Sequence, residues 1–209
     1  SSLAVLRAAA PCQSTGTGTS SRVGVHALEA YEPRHGVSAS TLEAGYGISE
    51  DARGLLMRYS VCGEDEDSMS MALTAMRRLM RRCRVRPVDV GALHVGATLL
   101  DRSKSTKTEL MALLEADGYA NTEGTDHYGA PVARPSALLS CVSWAEGGSW
   151  DGRWAVAVCA DDPVATGQRP VSSAGAVAVL VGQGAPLRMD SLRAALGLRS
   201  FLPVLSVVP

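Results

Sequence analysis

Four short stretches of the sequence carry side chains that could do chemistry. Cys141 and Cys159 supply thiols, which accept acyl groups when they are ionised. Asp126 directly precedes His127, and these two residue types move protons in hydrolytic triads. The pair Asp161-Asp162 follows an apolar stretch, where carboxylates could bind a hard cation.

A structural role is favoured for each of these stretches. Free cysteine is among the most buried residue types, so we expect the two thiols to pack inside a helix and a strand. Neighbours in sequence rarely have the geometry of a triad, so His127 is expected in a loop or structural role. The paired aspartates are expected in a turn that contacts a helix. The five cysteines include no CxxC pair, and no metal site is predicted.

Alternating strand-like and helix-like segments must position these groups. Apolar stretches predict strands at about 23–30, 90–95, 154–160 and 176–181. Apolar residues at helical spacing, together with residues typical of helix ends, predict helices at about 68–84, 105–117 and 135–146. Thr106 and Glu109 are spaced as a capping box for the second helix, and Pro135 opens the third. This order predicts an α/β fold with a largely parallel sheet.

Several of these segments resemble a known family. RSKSTKTELM at 102–111, SWDGRWAVAV at 149–158 and AGAVAVLVGQGAPL at 174–187 are similar to the N-terminal half of hydroxymethylglutaryl-CoA synthases. VGVHALEAYEP at 23–33 and EGTD at 123–126 extend the likeness. The resemblance implies half of a thiolase-like fold, a mostly parallel mixed sheet with helices packed on it. It divides the chain into a flexible extension (1–21), the half-domain (22–187) and a divergent apolar tail (188–209).

The resemblance also implies where catalytic residues should lie. Such enzymes condense acetyl-CoA with an acetoacetyl thioester by means of a Cys, a Glu and a His. In ungapped register from Glu123 to Trp150, the family's nucleophilic Cys falls on Pro131. The Glu is missing near Ala97 and Thr98, and the His belongs to the second half of the fold. We therefore expect no catalytic residues and predict a pseudoenzyme rather than an enzyme.

The predicted function follows from the expected lack of these catalytic residues. We expect a non-catalytic synthase-like protein that serves as a structural or accessory subunit of a larger complex, with other subunits covering the exposed face of the half-fold. The alternative is a hydroxymethylglutaryl-CoA synthase, or one half of a split synthase. No cofactor is expected, and CoA binding is disfavoured because the family draws much of its CoA site from the second half.

Charge is balanced over the whole chain and concentrated in one segment. Lys and Arg number 20 against 21 for Asp and Glu, a net charge of -1, so nucleic acid binding is not expected. The arginines between 77 and 86 are either a solvated helix end or a docking patch for an acidic partner or an anionic lipid headgroup. Membrane contact is expected only through such a patch or through a complex. The predicted docking residues are Arg77, Arg78, Arg81, Arg82, Phe201 and Leu202.

The first segment bears on localisation. It contains Arg7 and Arg22, many Ser and Thr, and no acidic residue before Glu29. This composition is typical of a mitochondrial transit peptide. We therefore predict a mitochondrial location; the alternatives are a disordered extension and a cytoplasmic location.

Overall fold

The described part of the protein contains nine strands and three α-helices with defined bounds, and residues 40, 41 and 44 are also helical. The computed structural model describes residues 23–38, 40–41, 44, 58–98, 105–115, 121–129, 132–148, 150–162, 173–189 and 206–207. The strands are β1 (Val23–Tyr31), β2 (His35–Ser38), β3 (Arg58–Val61), β4 (Val90–Ala97), β5 (Asp126–Tyr128), β6 (Trp154–Asp161), β7 (Gly175–Gln183), β8 (Leu187–Arg188) and β9 (Ser206–Val207). The helices are α1 (Ser68–Cys83), α2 (Thr106–Glu115) and α3 (Ala133–Glu146), and a 3-10 turn spans Pro87–Asp89.

Seven of the strands form one mixed sheet in the order β5-β4-β6-β7-β1-β8-β9, and β2 pairs with β3 separately. The mixed sheet with helices packed on it is confirmed. Parallel pairing is less extensive than expected, since only β4–β5 and β4–β6 are parallel and the other pairs in the large sheet are antiparallel. A strand that is apolar on both faces must be buried, but this pattern is the same whichever way its neighbours run.

Helices cover the two faces of the sheet. In β6, Val156 and Val158 belong to the core beneath α1 and α2, whereas Ala155 and Ala157 belong to the core beneath α3. Side chains of a strand alternate between faces, so larger residues meet α1 and α2 while alanines let α3 approach closely. Cys141 of α3 is fully buried in this second core, which confirms its packing role.

The helix ends are set by side chains that precede them. The Asp67 carboxylate accepts a hydrogen bond from the Ser70 amide at 2.7 Å and begins α1. For α2 the predicted capping box is wrong, because Ser105 Oγ accepts from the Thr108 amide at 3.2 Å. Helix α3 begins at Ala133 rather than Pro135. The proline sits in the first turn, where its missing amide hydrogen costs no intrahelical bond.

The sheet continues past the predicted end of the half-domain at residue 187. Strand β8 pairs antiparallel with Gly24 and Val25 of β1 and so spans this boundary, and β9 pairs with β8. None of the helices within the described ranges is both long and apolar enough to cross a bilayer.

Candidate functional site

The carboxyl ends of β4 and β6 meet the start of α3, and this is where the candidate site lies. Gly96 of β4 pairs with Cys159 of β6. A Cβ atom built on Gly96 would lie 2.8 Å from the carbonyl oxygen of Ala133 and 2.8 Å from Cα of Arg134. Only glycine allows this approach, so the sequence brings the first turn of α3 directly onto the end of β4.

An ion pair joins the end of β6 to this first turn. Arg134 Nη1 lies 3.0 Å from Asp161 Oδ2, and the Asp161 side chain is only 13% exposed against 49% for Arg134. The Thr98 amide donates a hydrogen bond to Asp161 Oδ1 at 2.7 Å. Asp161 thus links β4, β6 and α3, which confirms its predicted helix contact, although it ends strand β6 rather than lying in a turn. Among the residues with described positions, no three His, Cys, Asp or Glu side chains gather as a metal site would need.

Cys159 lies beside this ion pair. Its Sγ is 3.9 Å from the carbonyl oxygen of Arg134, and its side chain is half-buried rather than fully enclosed. Burial raises the pKa of the Cys159 thiol to about 11, while the nearby Arg134 charge acts in the opposite direction. Strand β6 therefore carries a protonated thiol near its end, at the edge where α3 begins. The half-buried position of Cys159 is not explained by packing alone.

Two histidines form a second polar group beneath α3. The ring centroids of His94 and His127 are 5.7 Å apart, and His127 Nε2 lies 3.2 Å from Ser140 Oγ. His94 is 9% exposed. Burial lowers its pKa to about 4, with the charges of His127 and Lys107 adding to the effect. His94 is therefore a neutral interior side chain at physiological pH, and sequence analysis did not single it out.

The Asp126-His127 pair does not form a triad. Both residues lie in β5, so their side chains leave opposite faces of the strand. Asp126 accepts hydrogen bonds from the Lys107 amide at 2.9 Å and from the Ser105 hydroxyl, which places it at the start of α2. The prediction that these neighbours lack triad geometry is confirmed, while the predicted loop is a short strand.

Two of the positions that the resemblance marks as catalytic, Ala97 and Thr98, lie at this edge. Ala97 ends β4 and Thr98 follows it. Pro131 lies outside the described residues, but Gly129 and Ala133 on either side of it are joined by a hydrogen bond from the Ala133 amide to the Gly129 carbonyl at 3.0 Å. The register that places Pro131 at the family's nucleophile position remains a prediction.

The predicted docking residues on α1 separate into two groups. Arg82 pairs with Glu29 at 2.9 Å, and the Arg78 guanidinium stands 5.2 Å from the ring centroid of Tyr31. These two arginines are held against β1 because they project toward that strand. Arg77 and Arg81 instead line a surface cavity. The other two predicted docking residues, Phe201 and Leu202, lie outside the described residues.

The chain matches one protein family over most of its length. The model for the N-terminal region of hydroxymethylglutaryl-coenzyme A synthase covers residues 19–186. The hydroxymethylglutaryl-CoA synthase erg13B of Aspergillus fumigatus is 40% identical over 171 residues, which are 79% of this chain and 37% of the relative. The cytoplasmic synthase of Gallus gallus is 41% identical over 171 residues, 79% of this chain and 33% of the relative.

A mitochondrial relative matches a similar share of this chain. The mitochondrial synthase of Homo sapiens is 37% identical over 174 residues, 80% of this chain and 34% of the relative. Relatives therefore occupy both compartments. The chain spans about a third of the length of these curated relatives.

Solved structures give the same fold. MvaS in complex with 3-hydroxy-3-methylglutaryl coenzyme A superposes with a TM-score of 0.69 at 28% identity, covering 83% of this chain and 43% of that one. The priming β-ketosynthase of the R1128 polyketide pathway superposes with a TM-score of 0.65 at 22% identity, covering 82% of this chain and 54% of that one. The second likeness shows the thiolase-like fold alone.

The prediction that the chain is not an enzyme is wrong. The relatives are named as hydroxymethylglutaryl-CoA synthases, and the solved neighbour at 28% identity is MvaS in complex with 3-hydroxy-3-methylglutaryl coenzyme A. That prediction depended on Pro131, on the missing Glu and on the His that the family places in the second half of the fold, all inferred from the resemblance. The chain belongs to the hydroxymethylglutaryl-CoA synthase family and corresponds to the N-terminal part of its thiolase-like fold.

Proposed function

We propose that this chain supplies the N-terminal half of a synthase site that acts on acyl thioesters of CoA, completed by a C-terminal half of the same fold. The observation that carries the proposal is the meeting of Thr98, Arg134 and Asp161 at one edge of the sheet. Active sites of open α/β sheets lie at the carboxyl ends of parallel strands, and β4 and β6 are such a pair. The bound thioester in the MvaS structure supports the substrate class for that protein, and we extend it to this one.

The ion pair sets the charge of this edge. Asp161 is held by an amide and by Arg134, so it is a fixed carboxylate rather than a mobile one. Arg134 is half-exposed and keeps donors for a further partner, because a guanidinium has five N–H groups. A thioester carbonyl gains negative charge as it is attacked, and a half-exposed guanidinium at the start of α3 is suited to stabilise that charge.

The acyl acceptor that the family resemblance implies is a cysteine thiol. The residue in register with the family's nucleophile is Pro131, so another cysteine must accept the acyl group if the step takes place. Cys159 lies at the right edge, 3.9 Å from the Arg134 carbonyl. In this step Cys159 Sγ forms a bond to the acetyl carbon, the bond from that carbon to the CoA sulfur breaks, and the CoA thiolate takes the proton that Cys159 releases.

The ionisation of Cys159 limits the rate of this step. The thiolate is the nucleophile, and a pKa of about 11 leaves little thiolate at pH 7. Acetylation by the chain alone should therefore rise steadily as the pH is raised toward 11. A second half-domain that places positive charge near Cys159 would lower the pKa and raise the rate at neutral pH.

Helix α3 supports the need for a second half. Its buried residues Ala137, Cys141 and Ala145 face the sheet, yet Leu138 and Leu139 on other sides of the helix are also apolar and only partly covered. Apolar side chains outside the sheet-facing stripe of a helix are normally covered by further protein. A C-terminal half packed on α3 would enclose it and bring the remaining catalytic groups to the strand ends.

The experiment is acetylation followed by intact mass measurement. The purified chain is incubated with acetyl-CoA at pH 7 and pH 9, alone and with the separately expressed C-terminal half of a related synthase. We expect one acetyl adduct, more at pH 9 than at pH 7, that Cys159→Ser abolishes. Cys83→Ser, at the end of α1, should leave the adduct unchanged. No adduct under any condition, or an adduct that survives Cys159→Ser, contradicts the proposed acyl acceptor.

A mitochondrial location is part of the proposal and is supported by the composition of the first 22 residues. These residues fused to a fluorescent protein should direct it to mitochondria, and replacing Arg7 and Arg22 by Glu should abolish this. A fusion that stays in the cytoplasm contradicts the location.

A further inference from the structure

An arginine-lined groove lies on the face of the protein opposite α3. It encloses about 530 Å³ between the end of α1, the 3-10 turn and α2. Its walls and floor are formed by Arg77, Met80, Arg81, Arg84, Val85, Arg86, Pro87, Ala112 and Leu113. This groove belongs to the side of the sheet that carries α1 and α2, so it is separate from the candidate site beneath α3.

The rim of the groove is strongly positive. Arg77, Arg81, Arg84 and Arg86 are all exposed, and none of the described residues that line the groove is acidic. Arg86 pairs with Asp89 at 2.7 Å, whereas within the described part of the chain no ion pair engages the other three. The net charge of the whole chain is only -1, so this positive charge is local. Like charges held this close repel one another, and an anionic partner relieves that repulsion.

The floor of the groove is apolar. Met80 and Val85 are 8% and 9% exposed, and Leu113 of α2 is half-buried beside them. Arg77 and Arg81 are one helical turn apart along the rim. A positive rim around an apolar floor between two helices matches the surface that receives an amphipathic helix, whose apolar face enters the groove and whose charged side chains meet the rim.

We propose that this groove docks an acidic amphipathic helix of a partner protein. An apolar side chain of that helix packs on Met80, Val85 and Leu113. Carboxylates one turn apart pair with Arg77 and Arg81, and a further one pairs with Arg84. The apolar floor favours a protein partner over a single-stranded nucleic acid, whose bases stack on aromatic side chains that the described lining lacks. The concave shape favours a helix over a flat bilayer surface.

The test uses a fluorescein-labelled helical peptide with leucines at helical spacing on one face and glutamates beside them. Its binding to the full chain is measured by fluorescence anisotropy at low and at physiological salt. Two matched peptides, one with each Glu replaced by Lys and one with each Leu replaced by Ser, separate the charged and apolar contributions. We expect binding of the acidic peptide, weakened by salt, and at least about tenfold weaker binding of either control peptide.

Protein variants locate the site. The double variant R77E/R81E should weaken binding of the acidic peptide at least about tenfold, and L113Q should weaken it about threefold or more. The matched control R34E/R58E makes the same charge change on exposed arginines outside the groove and should change affinity less than about threefold. Circular dichroism checks that each variant keeps its helical content.

Four results would overturn the proposal. The first is that the unaltered chain shows no salt-sensitive binding of the acidic peptide, and the second is that the two double variants weaken binding equally. The third is that neither L113Q nor loss of the peptide's leucines changes binding. The fourth is that the chain binds phosphatidylserine vesicles more tightly than the peptide, in a way that depends on Arg77. The last result would identify a lipid-binding patch instead.

Discussion

At the scale of single residues, the direction in which a side chain leaves its strand decides its role. Asp126 and His127 are neighbours in β5, yet Asp126 hydrogen-bonds the start of α2 and His127 reaches Ser140 of α3. Asp161 shows the opposite case, in which residues far apart in sequence meet. Thr98 and Arg134 both bind it, 63 and 27 residues away.

Asp161 should contribute measurably to stability. Replacing it by Ala leaves the Thr98 amide without an acceptor and Arg134 without its partner. We expect a loss of about 2 kcal/mol in the free energy of unfolding, measured by urea denaturation. Asp161→Asn should recover part of this loss, because its carbonyl oxygen can still accept from Thr98. Asp89→Ala, which removes a more exposed ion pair, should cost about 1 kcal/mol or less. Equal losses at the two sites would contradict the bridging role of Asp161.

His94 should make stability depend on pH. Its folded pKa of about 4 lies below the ordinary value of 6.5, so the unfolded chain binds the proton more readily between these two values. The contribution of neutral His94 to the free energy of unfolding is fully present above pH 6.5. It is lost as the pH falls toward 4, and the total loss is about 3 kcal/mol.

The measurement compares unfolding free energies at pH 7 and pH 4.5. His94→Gln should show a smaller decrease than the unaltered protein, because the buried imidazole is gone. His35→Gln removes an exposed histidine and should leave the decrease unchanged. An unaltered pH dependence in His94→Gln would show that other groups cause it.

At the scale of elements, the site depends on how closely α3 approaches the sheet. Ala92, Ala155 and Ala157 lie beneath the helix, and Gly96 lies beneath its first turn. These small residues are not needed to form strands, which favour larger β-branched side chains. Their position is explained by the helix that rests on them. The distance between β4 and α3 is therefore encoded in residues that carry no chemistry themselves.

Gly96→Ala should disturb this junction. The new Cβ would lie 2.8 Å from backbone atoms of Ala133 and Arg134, and the helix backbone must shift to make room. We expect a loss of about 1–3 kcal/mol in unfolding free energy and slower acetylation of Cys159. Gly148→Ala is the matched control, since nothing lies within 4 Å of its added Cβ, and it should be neutral. Thermal unfolding of both variants decides the comparison, and a neutral Gly96→Ala would refute the close approach.

At the scale of the whole molecule, the chain corresponds to one part of a larger architecture in its relatives. It covers 43% of the MvaS chain and about a third of the curated relatives. Among the described elements, α1 and α2 cover one side of the sheet and α3 covers the other. The partly covered apolar residues of α3 are the surface against which we place a second half-domain.

Adding that half-domain should stabilise the chain. A partner that binds only the folded state at a concentration 100 times its dissociation constant contributes about 2.7 kcal/mol. We expect the melting temperature to rise by about 5 °C or more on mixing with the C-terminal half of a related synthase, measured by calorimetry. Leu139→Lys on α3 should reduce this rise, and Arg81→Glu on the opposite face should not. A melting temperature that does not respond to the partner would contradict packing on α3.

The sequence by itself determined the family, the α/β class, the three helices and the four long strands. Apolar periodicity and the family-like segment around SWDGR depend only on which residues follow one another, and this can be read directly from the sequence. It also located the end of β4, at Ala97 and Thr98, while the register to Pro131 stays a prediction. The conclusion that chemistry was absent did not follow, because a vacant position in one register says nothing about other groups that the fold brings near.

Only the tertiary structure decided which residues meet. The antiparallel direction of β7 beside β6, the ion pair of Arg134 with Asp161 and the pairing of His94 with His127 all join distant segments. It also divided the arginines of α1, with Arg78 and Arg82 held against β1 and Arg77 and Arg81 along the groove. The physical reason is common to all of these. Contact between distant residues depends on how the helices pack on the sheet and on which face of its strand each side chain lies. The spacing of residues along the chain determines neither of these.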